Sequence, residues 1–329
     1  MARHEPRVSR PGALFALLAA ASAGSLGLAI ASGSYPVSIA EIADNLFTSR
    51  SAIVHDIVWQ LRVPRALAAF ACGALLALAG ALLQVLLRNA LADPYILGVS
   101  GGASLGALLA LTAGASAAAM NAAAFTGAAG AIAIVFGLTY RSADWNVYRL
   151  LLTGVVLSAG LSALISLTLV LAPEAQLKGM LFWLMGDLSQ SDSSAAAWAV
   201  AIVLATFGIA AGIRLDLLSL GELKARSLGV PVGGLQIGVF AAAALATVTA
   251  VVIGGAIGFI GLIAPHLIRL AGVAHHRALL PLAMLLGGSL LTLADTAART
   301  VWAPQQLPVG IFTALLGVPA MLILLSRQR

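Results

Sequence analysis

The sequence predicts an all-α membrane protein built as a bundle of ten transmembrane helices. Three observations lead to this fold class: 61% of the 329 residues are hydrophobic, only 9% are charged, and ten apolar segments follow one another along the chain. An apolar segment of about 20 residues is long enough to cross the hydrocarbon core of a bilayer. A soluble domain does not need so many segments of this kind. We therefore treat residues 1–329 as a single transmembrane domain.

Polar residues, proline or glycine bound each apolar segment, as is typical of helix ends. The first segment follows Arg3, Arg7 and Arg10, as a signal sequence does, but it is long for a cleavable signal and is interpreted as the first span. The eighth segment contains Pro265 and is too short to cross the bilayer alone, which predicts a half-helix buried among its neighbours. We place the spans at 12–32, 63–87, 95–114, 117–140, 149–171, 194–213, 235–256, 259–271, 276–298 and 307–326.

The distribution of basic residues predicts the orientation of the bundle. If both termini are cytoplasmic, thirteen of the 18 basic residues lie on the cytoplasmic side and five on the outer side. This asymmetry agrees with the positive-inside rule, which also accounts for the net charge of +6 without a nucleic-acid partner. The polar segment LDLLSLGELKARSLGVPV, residues 215–232, then faces the cytoplasm. The five outer basic residues are Arg50, Arg62, Arg65, Lys178 and Arg299.

Motifs of soluble enzymes are missing from the sequence. No GxxxxGK[ST] loop is present, so the chain is not expected to bind ATP, and no HExxH zinc motif occurs. The GVSGG stretch contains Ser100 in a form found in intramembrane serine proteases, with His266 as a conceivable base; the alternative is a serine bonded to local backbone at a helix start. His275 and His276 are interpreted as a solvated cytoplasmic turn rather than a metal site. Cys72 lies in an apolar run and is interpreted as a buried side chain.

Two arginines flank the start of the second span. In QLRVPRALAAF, Pro64 suits the first turn of a helix, and Arg62 and Arg65 both fall at its outer end. Cations at a helix N-terminus oppose the helix dipole, which favours a carboxylate partner, whereas snorkelling to lipid headgroups is the alternative. Arg299 repeats this placement four residues after Asp295, where an ion pair within the helix is the alternative.

The motifs together resemble one family. The stretches LRVPRALAAFACGALLALAGALLQVLLRNALADPYILGVSGGASLGALLAL, FWLMGDLS, LGELKARSLGV, GFIGLIAPHLIRL and ADTAARTVWAPQQLPVGIFTALLGVPAMLILL are similar to those of the FecCD-type permease subunits of type II ABC importers. These permeases import iron-siderophores, haem or cobalamin. The resemblance implies a transport subunit rather than an enzyme, located in the bacterial inner membrane. Its implied partners are a second permease subunit, as a homodimer, two ATPases that bind ATP-Mg, and a periplasmic binding protein; the chain itself is expected to hold no cofactor and no metal.

The resemblance also implies roles for individual residues. Residues 215–232 correspond to the coupling helices that dock into the ATPases, with the core of the motif at Leu220, Gly221, Glu222, Leu223, Lys224, Ala225, Arg226 and Gly229. Arg62, Arg65 and Arg299 match arginines that pair with glutamates of the binding protein. The inner gate corresponds to Asn89, Leu91, Asn146 and Val147, although Ala90 stands where the family usually has proline.

Three functions remain open from the sequence. The first is ATP-driven import of a metal chelate by alternating access, as the resemblance implies. The alternatives are an intramembrane serine protease that uses Ser100 and a secondary transporter that works without ATPases. Ferric siderophores, haem and cobalamin are all bulky chelates, and the sequence does not distinguish among them.

Overall fold

The structure is a computed structural model that describes residues 11–38, 40–41, 52–140, 147–189 and 195–326. Within these ranges all regular elements are helices. The helices are α1 (Pro11–Ala31), α2 (Ala52–His55), α3 (Val63–Leu86), α4 (Val99–Thr112), α5 (Ala117–Tyr140), α6 (Val147–Leu171), α7 (Glu174–Leu184), α8 (Ala195–Ser219), α9 (Glu222–Ser227), α10 (Val232–Gly254), α11 (Ile260–Leu270), α12 (His276–Thr300) and α13 (Val309–Ser326). A π-helical segment, Asp56–Arg62, joins α2 to α3, and a 3₁₀ turn, Pro94–Leu97, precedes α4.

The predicted all-α membrane bundle is confirmed. Seven helical segments in the described residues are long and apolar enough to cross a membrane, and three shorter apolar helices, α4, α11 and α13, complete the set. A helix lies at the position of each of the ten predicted spans. The sequence did not predict α2, the π-helical segment or α7, and α8 continues to Ser219, beyond the predicted end at 213.

Helix α3 forms the centre of the bundle. From Ala66 to Leu86 all its residues but Leu67 are buried, and it packs against α8, α10, α11 and α12. Glycine makes the closest contacts possible, because a Cβ atom at Gly80 would overlap the carbonyl oxygen of Gly261 on α11. Cys72 on this helix is fully buried, as predicted.

Helix α11 is the predicted half-helix. It has 11 residues, contains Pro265 and is buried along most of its length. The chain between α10 and α11 is held by Tyr95, whose hydroxyl donates to the Ile257 carbonyl and accepts from the Ile257 N–H, both at 2.9 Å. These bonds satisfy backbone groups that the break in the helix leaves free, as a break at membrane depth requires.

The bundle has two ends that differ in their polar residues. Helix α3, which is about 36 Å long for its 24 residues, begins directly after Arg62 and ends two residues before Arg88. We call the two ends the arginine end, which contains Arg62, Arg65 and Arg299, and the α9 end, which contains Arg88 and α9. Helix α12 runs between the same two ends in the opposite direction, from His276 to Thr300.

Candidate functional site

The segment 215–232 forms one short helix rather than a pair. Residues 215–219 belong to the last turn of α8, and α9 spans Glu222–Ser227. Glycines allow the sharp turns on both sides, because Gly221 has φ +110° and Gly229 has φ +80°, values that side chains rarely permit. The short helix is therefore held between two turns at the end of the bundle.

Helix α9 presents an apolar surface to solvent. Leu223 is 86% exposed, and Leu220 and Leu228 beside it are also exposed. Ala225 is fully buried and fixes the opposite face of the helix to the bundle. Lys224 and Arg226 are exposed next to these leucines. Exposed leucines surrounded by charges are typical of a surface that binds another protein.

Glu222 joins α9 to two other parts of the bundle. Its Oε1 atom lies 3.6 Å from Arg88 Nη2, in the turn after α3, and accepts a hydrogen bond of 3.1 Å from Gln236 Nε2 on α10. The Arg88 and Glu222 side chains are 48% and 27% exposed, so their ion pair contributes at most about 1 kcal/mol to stability. The pair nevertheless connects α9 mechanically to the turn at residues 88–92.

The predicted gate residues lie next to this connection. Asn89 and Leu91 are exposed in the turn, and the Asn89 Oδ1 atom accepts a hydrogen bond of 2.9 Å from the Leu91 N–H. Val147 is the first residue of α6 and packs partly against the core. Asn146, the fourth predicted gate residue, lies outside the described residues. The gate assignment stays a prediction.

Proline should be tolerated at Ala90, the position where the sequence departs from its family. Ala90 follows Asn89 in a turn closed by a 3.1 Å hydrogen bond from Ala92 N–H to the Asn89 carbonyl. This is the position where proline favours a turn, and within the described chain the Ala90 N–H has no hydrogen-bond partner to lose. We expect Ala90→Pro to raise the free energy of unfolding by about 0.4–1 kcal/mol. Denaturant unfolding checks this, and a lower stability would show that the turn cannot accept the proline ring.

The solvated turn predicted at His275 and His276 is wrong for His276. His276 is buried, and Asp216 at the end of α8 binds both histidines: its Oδ1 atom accepts from the His276 N–H at 2.9 Å and lies 2.5 Å from His276 Nδ1, and its Oδ2 atom lies 3.2 Å from His275 Nδ1. Sequence reasoning missed this carboxylate, because Asp216 is 60 residues away from His276 and no local pattern joins the two. Asp216 thus links the end of α8, which directly precedes α9 in the chain, to the start of α12.

The sequence predicted that Arg62 would point outward at the arginine end, but the structure shows that it does not. It is only 4% exposed, and its guanidinium group turns inward. Its Nη1 atom donates to the Ile30 and Ala31 carbonyls, both at 2.9 Å, and its Nη2 atom donates to the Tyr35 carbonyl at 2.6 Å. Arg62 therefore satisfies carbonyls at the end of α1, which otherwise lack partners within the helix.

Arg65 and Arg299 share one carboxylate at the same end. Arg65 is 13% exposed and binds Asp295 with its Nη2 atom at 2.8 Å and its Nε atom at 3.1 Å. Its Nη1 atom also donates to Gln306 at 2.9 Å. Arg299 is 6% exposed, lies 3.6 Å from Asp295 through its Nε atom, and donates to the Ala29 carbonyl. The carboxylate partner expected for the arginines is therefore found within the chain, and binding-protein docking at these three residues stays a prediction.

The described residues contain no group of three or more His, Cys, Asp or Glu side chains suited to a metal ion. Ser100 lies in the first turn of α4, and His266 is buried in α11.

Comparison with known proteins identifies the family. The FecCD transport family matches residues 18–327. The chain is 38% identical over 285 residues to the "Vitamin B12 import system permease protein BtuC" of Escherichia coli O9:H4 (strain HS), covering 86% of both chains. The protein of the same name from Shigella boydii serotype 18 (strain CDC 3083-94 / BS512) gives the same identity and coverage.

Solved structures agree with these relatives. The structure titled "An inward-facing conformation of a putative metal-chelate type ABC transporter" superposes with a TM-score of 0.85 at 32% identity, covering 96% of this chain and 99% of that one. A chain of "PsaBC from Streptococcus pneumoniae in complex with Fab" shares the fold with a TM-score of 0.57 at 16% identity, covering 87% and 94%. The protein belongs to the FecCD transport family and is a multi-pass membrane permease subunit of the metal-chelate and cobalamin type of ABC importer, not an enzyme.

Proposed function

We propose that this permease carries a bulky metal chelate from the periplasm to the cytoplasm by alternating access, driven by two separate ATPase subunits. The single observation that supports ATP coupling best is α9, a short helix whose leucines are exposed at one end of the bundle. If α9 binds a cytoplasmic ATPase, the α9 end and both termini are cytoplasmic, and the arginine end faces the periplasm. The positive-inside distribution of basic residues supports the same orientation.

The coupling segment, residues 215–232, is the surface that receives the ATPase. Leu220 and Leu223 fill an apolar cleft of that subunit, while Lys224 and Arg226 at the rim pair with acidic groups. Gly221 and Gly229 hold the helix in its turns, and Ala225 fixes it to the bundle. ATP binds with Mg²⁺ to the ATPases, and closure of their dimer displaces α9 as one unit.

The displacement reaches the gate through Glu222 and Arg88. The gate residues Asn89 and Leu91 follow closely after Arg88 in the chain, and Val147 begins α6. Asn146, the other proposed gate residue, comes directly before Val147 in the sequence. A neutral lining suits a bulky chelate, because charged residues would bind it and slow its release. The two positions of α9 thus select between two states of the gate.

The arginine end receives the periplasmic binding protein. Arg65 is the most accessible of the three predicted docking arginines, and carboxylates of the binding protein would compete there with Asp295. Complementary charge of this kind speeds encounter and makes docking sensitive to salt. A second copy of the permease completes the path, and α6 supports a homodimer because Tyr148, Val156 and Val170 on it remain exposed.

Uptake by cells tests the substrate. A strain whose own permease gene is replaced by this one, together with its ATPase and binding-protein genes, is supplied with radiolabelled cobalamin, haem-iron or ferric siderophore. We expect accumulation of one of the three, with cobalamin first because of the vitamin B12 permeases among the relatives. Accumulation of none, with all subunits present in the membrane, would contradict the proposal.

Loss of the Arg88–Glu222 ion pair should weaken coupling without preventing assembly. Arg88→Gln removes the charge and keeps an unbranched chain, and an ion pair worth about 1 kcal/mol predicts a decrease of up to about fivefold in uptake per ATP hydrolysed. Arg88→Lys is the control, because it keeps the charge. Reconstituted ATPase and uptake rates are measured together; unchanged uptake per ATP in Arg88→Gln would remove this pair from the mechanism.

A further inference from the structure

A large cavity lies beside α7 at the arginine end. Its volume is about 1000 Å³, which is the upper limit of typical small-molecule pockets. It is enclosed by the end of α4, the start of α5, α7, the start of α8 and the end of α10. Gln306, which binds Arg65, lies at its edge. None of the residues assigned to the gate, to ATPase coupling or to binding-protein docking lines this cavity.

The lining is mostly apolar, although Asn121 and Thr249 also contribute to it. Met120, Trp183, Val252 and Ile253 contribute large apolar surfaces, and alanines from α5 and α8 keep the space open. Trp183 is buried in the protein and lines the cavity, so a small molecule in the cavity can contact its ring. The apolar part of the cavity does not hold water well, because water needs two to four polar partners.

The mouth of the cavity adjoins surfaces suited to lipid. Ala118, Phe125 and Ala196 line the cavity and are themselves exposed on α5 and α8. Below the mouth the same two helices carry exposed apolar side chains along their length: Ile134, Leu138, Ile202, Ile209 and Ile213. Both helices are apolar enough to span a membrane, so an acyl chain of the surrounding bilayer can enter sideways.

Polar groups gather at one edge of the cavity. Lys178 on α7 is exposed, lies 5.9 Å from the centre of the Phe182 ring and forms no ion pair with any described residue. Asp187 follows α7, and its carboxylate oxygens accept hydrogen bonds from the Ser189 N–H and hydroxyl while keeping lone pairs free. An ammonium group suits a phosphate, and a carboxylate suits a second ammonium group.

We propose that this cavity is a binding site for one membrane phospholipid with a zwitterionic headgroup. An acyl chain fills the apolar depth between α5, α8 and α10, the phosphate binds Lys178, and the headgroup ammonium binds Asp187. The lipid braces α7, which the protein itself holds mainly through α4 and through hydrogen bonds of 3.0 Å from Val309 and Gly310 N–H to the Gly186 and Met185 carbonyls.

Fluorescence quenching of Trp183 tests the site directly. A variant keeps Trp183 and has phenylalanine at the four other tryptophan positions, and it is reconstituted as the full chain in bilayers of dibrominated-acyl phosphatidylethanolamine or its ordinary counterpart. Because Trp183 is buried and lines the cavity, bromine on an acyl chain inside the cavity lies closest to its ring. We expect at least twofold quenching by the brominated lipid, and stronger quenching than with brominated phosphatidylglycerol. Absence of quenching would overturn the site, including the case in which a second copy of the chain covers its mouth.

Matched variants separate the cavity from the general lipid environment. Ala196→Phe fills the cavity and should remove most of the quenching, whereas Ala199→Phe, an exposed position on the same helix outside the cavity, should keep it. Lys178→Glu should weaken quenching and Lys178→Arg should preserve it. Residue 178 is exposed, so neither variant should affect folding. Equal quenching in Ala196→Phe and Ala199→Phe would contradict the site, and a preference for phosphatidylglycerol would contradict the zwitterionic headgroup.

Discussion

Replacement of Leu223 by aspartate is expected to abolish ATP-driven uptake while the permease itself stays folded. Leu223 is 86% exposed, so the bundle gains almost no stability from its side chain. In the proposed complex the same side chain is buried in the ATPase, and an aspartate there would be an unpaired charge in an apolar cleft. Loss of a central anchor of this kind typically costs 2 kcal/mol or more, which is about a 30-fold loss of affinity.

The measurement combines co-purification of the ATPase with uptake. Leu223→Met is the matched control, because methionine keeps the apolar character and the approximate volume, and it should bind the ATPase nearly as well as the unmodified chain. Thermal unfolding of the isolated permease should be the same for both variants. If Leu223→Asp still binds the ATPase and supports uptake, α9 is not the contact.

Replacement of Arg62 by alanine is expected to have the largest effect on stability. The guanidinium group donates to three carbonyls, those of Ile30, Ala31 and Tyr35, and the side chain is almost completely buried. Each buried carbonyl left without a donor costs about 1–3 kcal/mol. The Ile30 and Ala31 carbonyls together account for about 2–6 kcal/mol, whereas Tyr35 is 55% exposed and water can replace the guanidinium group there. The end of α1 should therefore separate from α3.

Denaturant unfolding and limited proteolysis after α1 check this expectation. Arg277→Ala is the control, because Arg277 is an exposed arginine near the start of α12 with no assigned role, and its loss should change stability by no more than about 0.5 kcal/mol. Equal stability of Arg62→Ala and Arg277→Ala would show that the inward hydrogen bonds do not hold α1.

The burial of Arg62 also changes how binding-protein docking is to be tested. The double variant Arg62→Glu with Arg65→Glu is predicted to lose association with the binding protein at low salt and to lose stimulation of ATP hydrolysis. A glutamate at position 62 would, however, face the carbonyls of α1 and disturb the fold. Arg65→Gln alone disturbs the fold less, since it removes the accessible charge, leaves Arg62 in place and leaves Asp295 paired with Arg299. Its thermal unfolding is measured alongside, so that any loss of the Asp295 ion pair is seen separately from docking. Unchanged association would argue against docking at Arg65.

Hydrophobic patterning was sufficient to predict the membrane bundle. The spans, the half-helix at Pro265 and the buried Cys72 all follow from local sequence, because an apolar segment and its boundaries are local properties. Helix α7 was missed because its 11 residues carry Glu174 and Lys178 and are too few for a span. The end of α8 was placed too early because charged residues in its last turns were taken as the boundary, although a helix can continue beyond the bilayer.

Hydrophobic patterning could not predict contacts between residues that are distant in the sequence. Arg65 meets Asp295 across 230 positions and His276 meets Asp216 across 60, and no local periodicity marks such pairs. The arginines were therefore expected to point outward, although their positions along the helices were right. Exposure of Leu223 was consistent with its motif, whereas the ion pair between Arg88 and Glu222 emerged only from the folded chain.

The most direct test of ATP-driven import is uptake into proteoliposomes that contain the permease and its ATPase, with the binding protein and radiolabelled cobalamin outside. We expect accumulation only when ATP and Mg²⁺ are enclosed, and we expect it to be lost in Leu223→Asp but not in Leu223→Met. If cobalamin is the wrong chelate, the same vesicles are supplied with haem-iron and ferric siderophore. Accumulation by the permease without ATP or without the ATPase would contradict ATP-driven import and identify a secondary transporter instead.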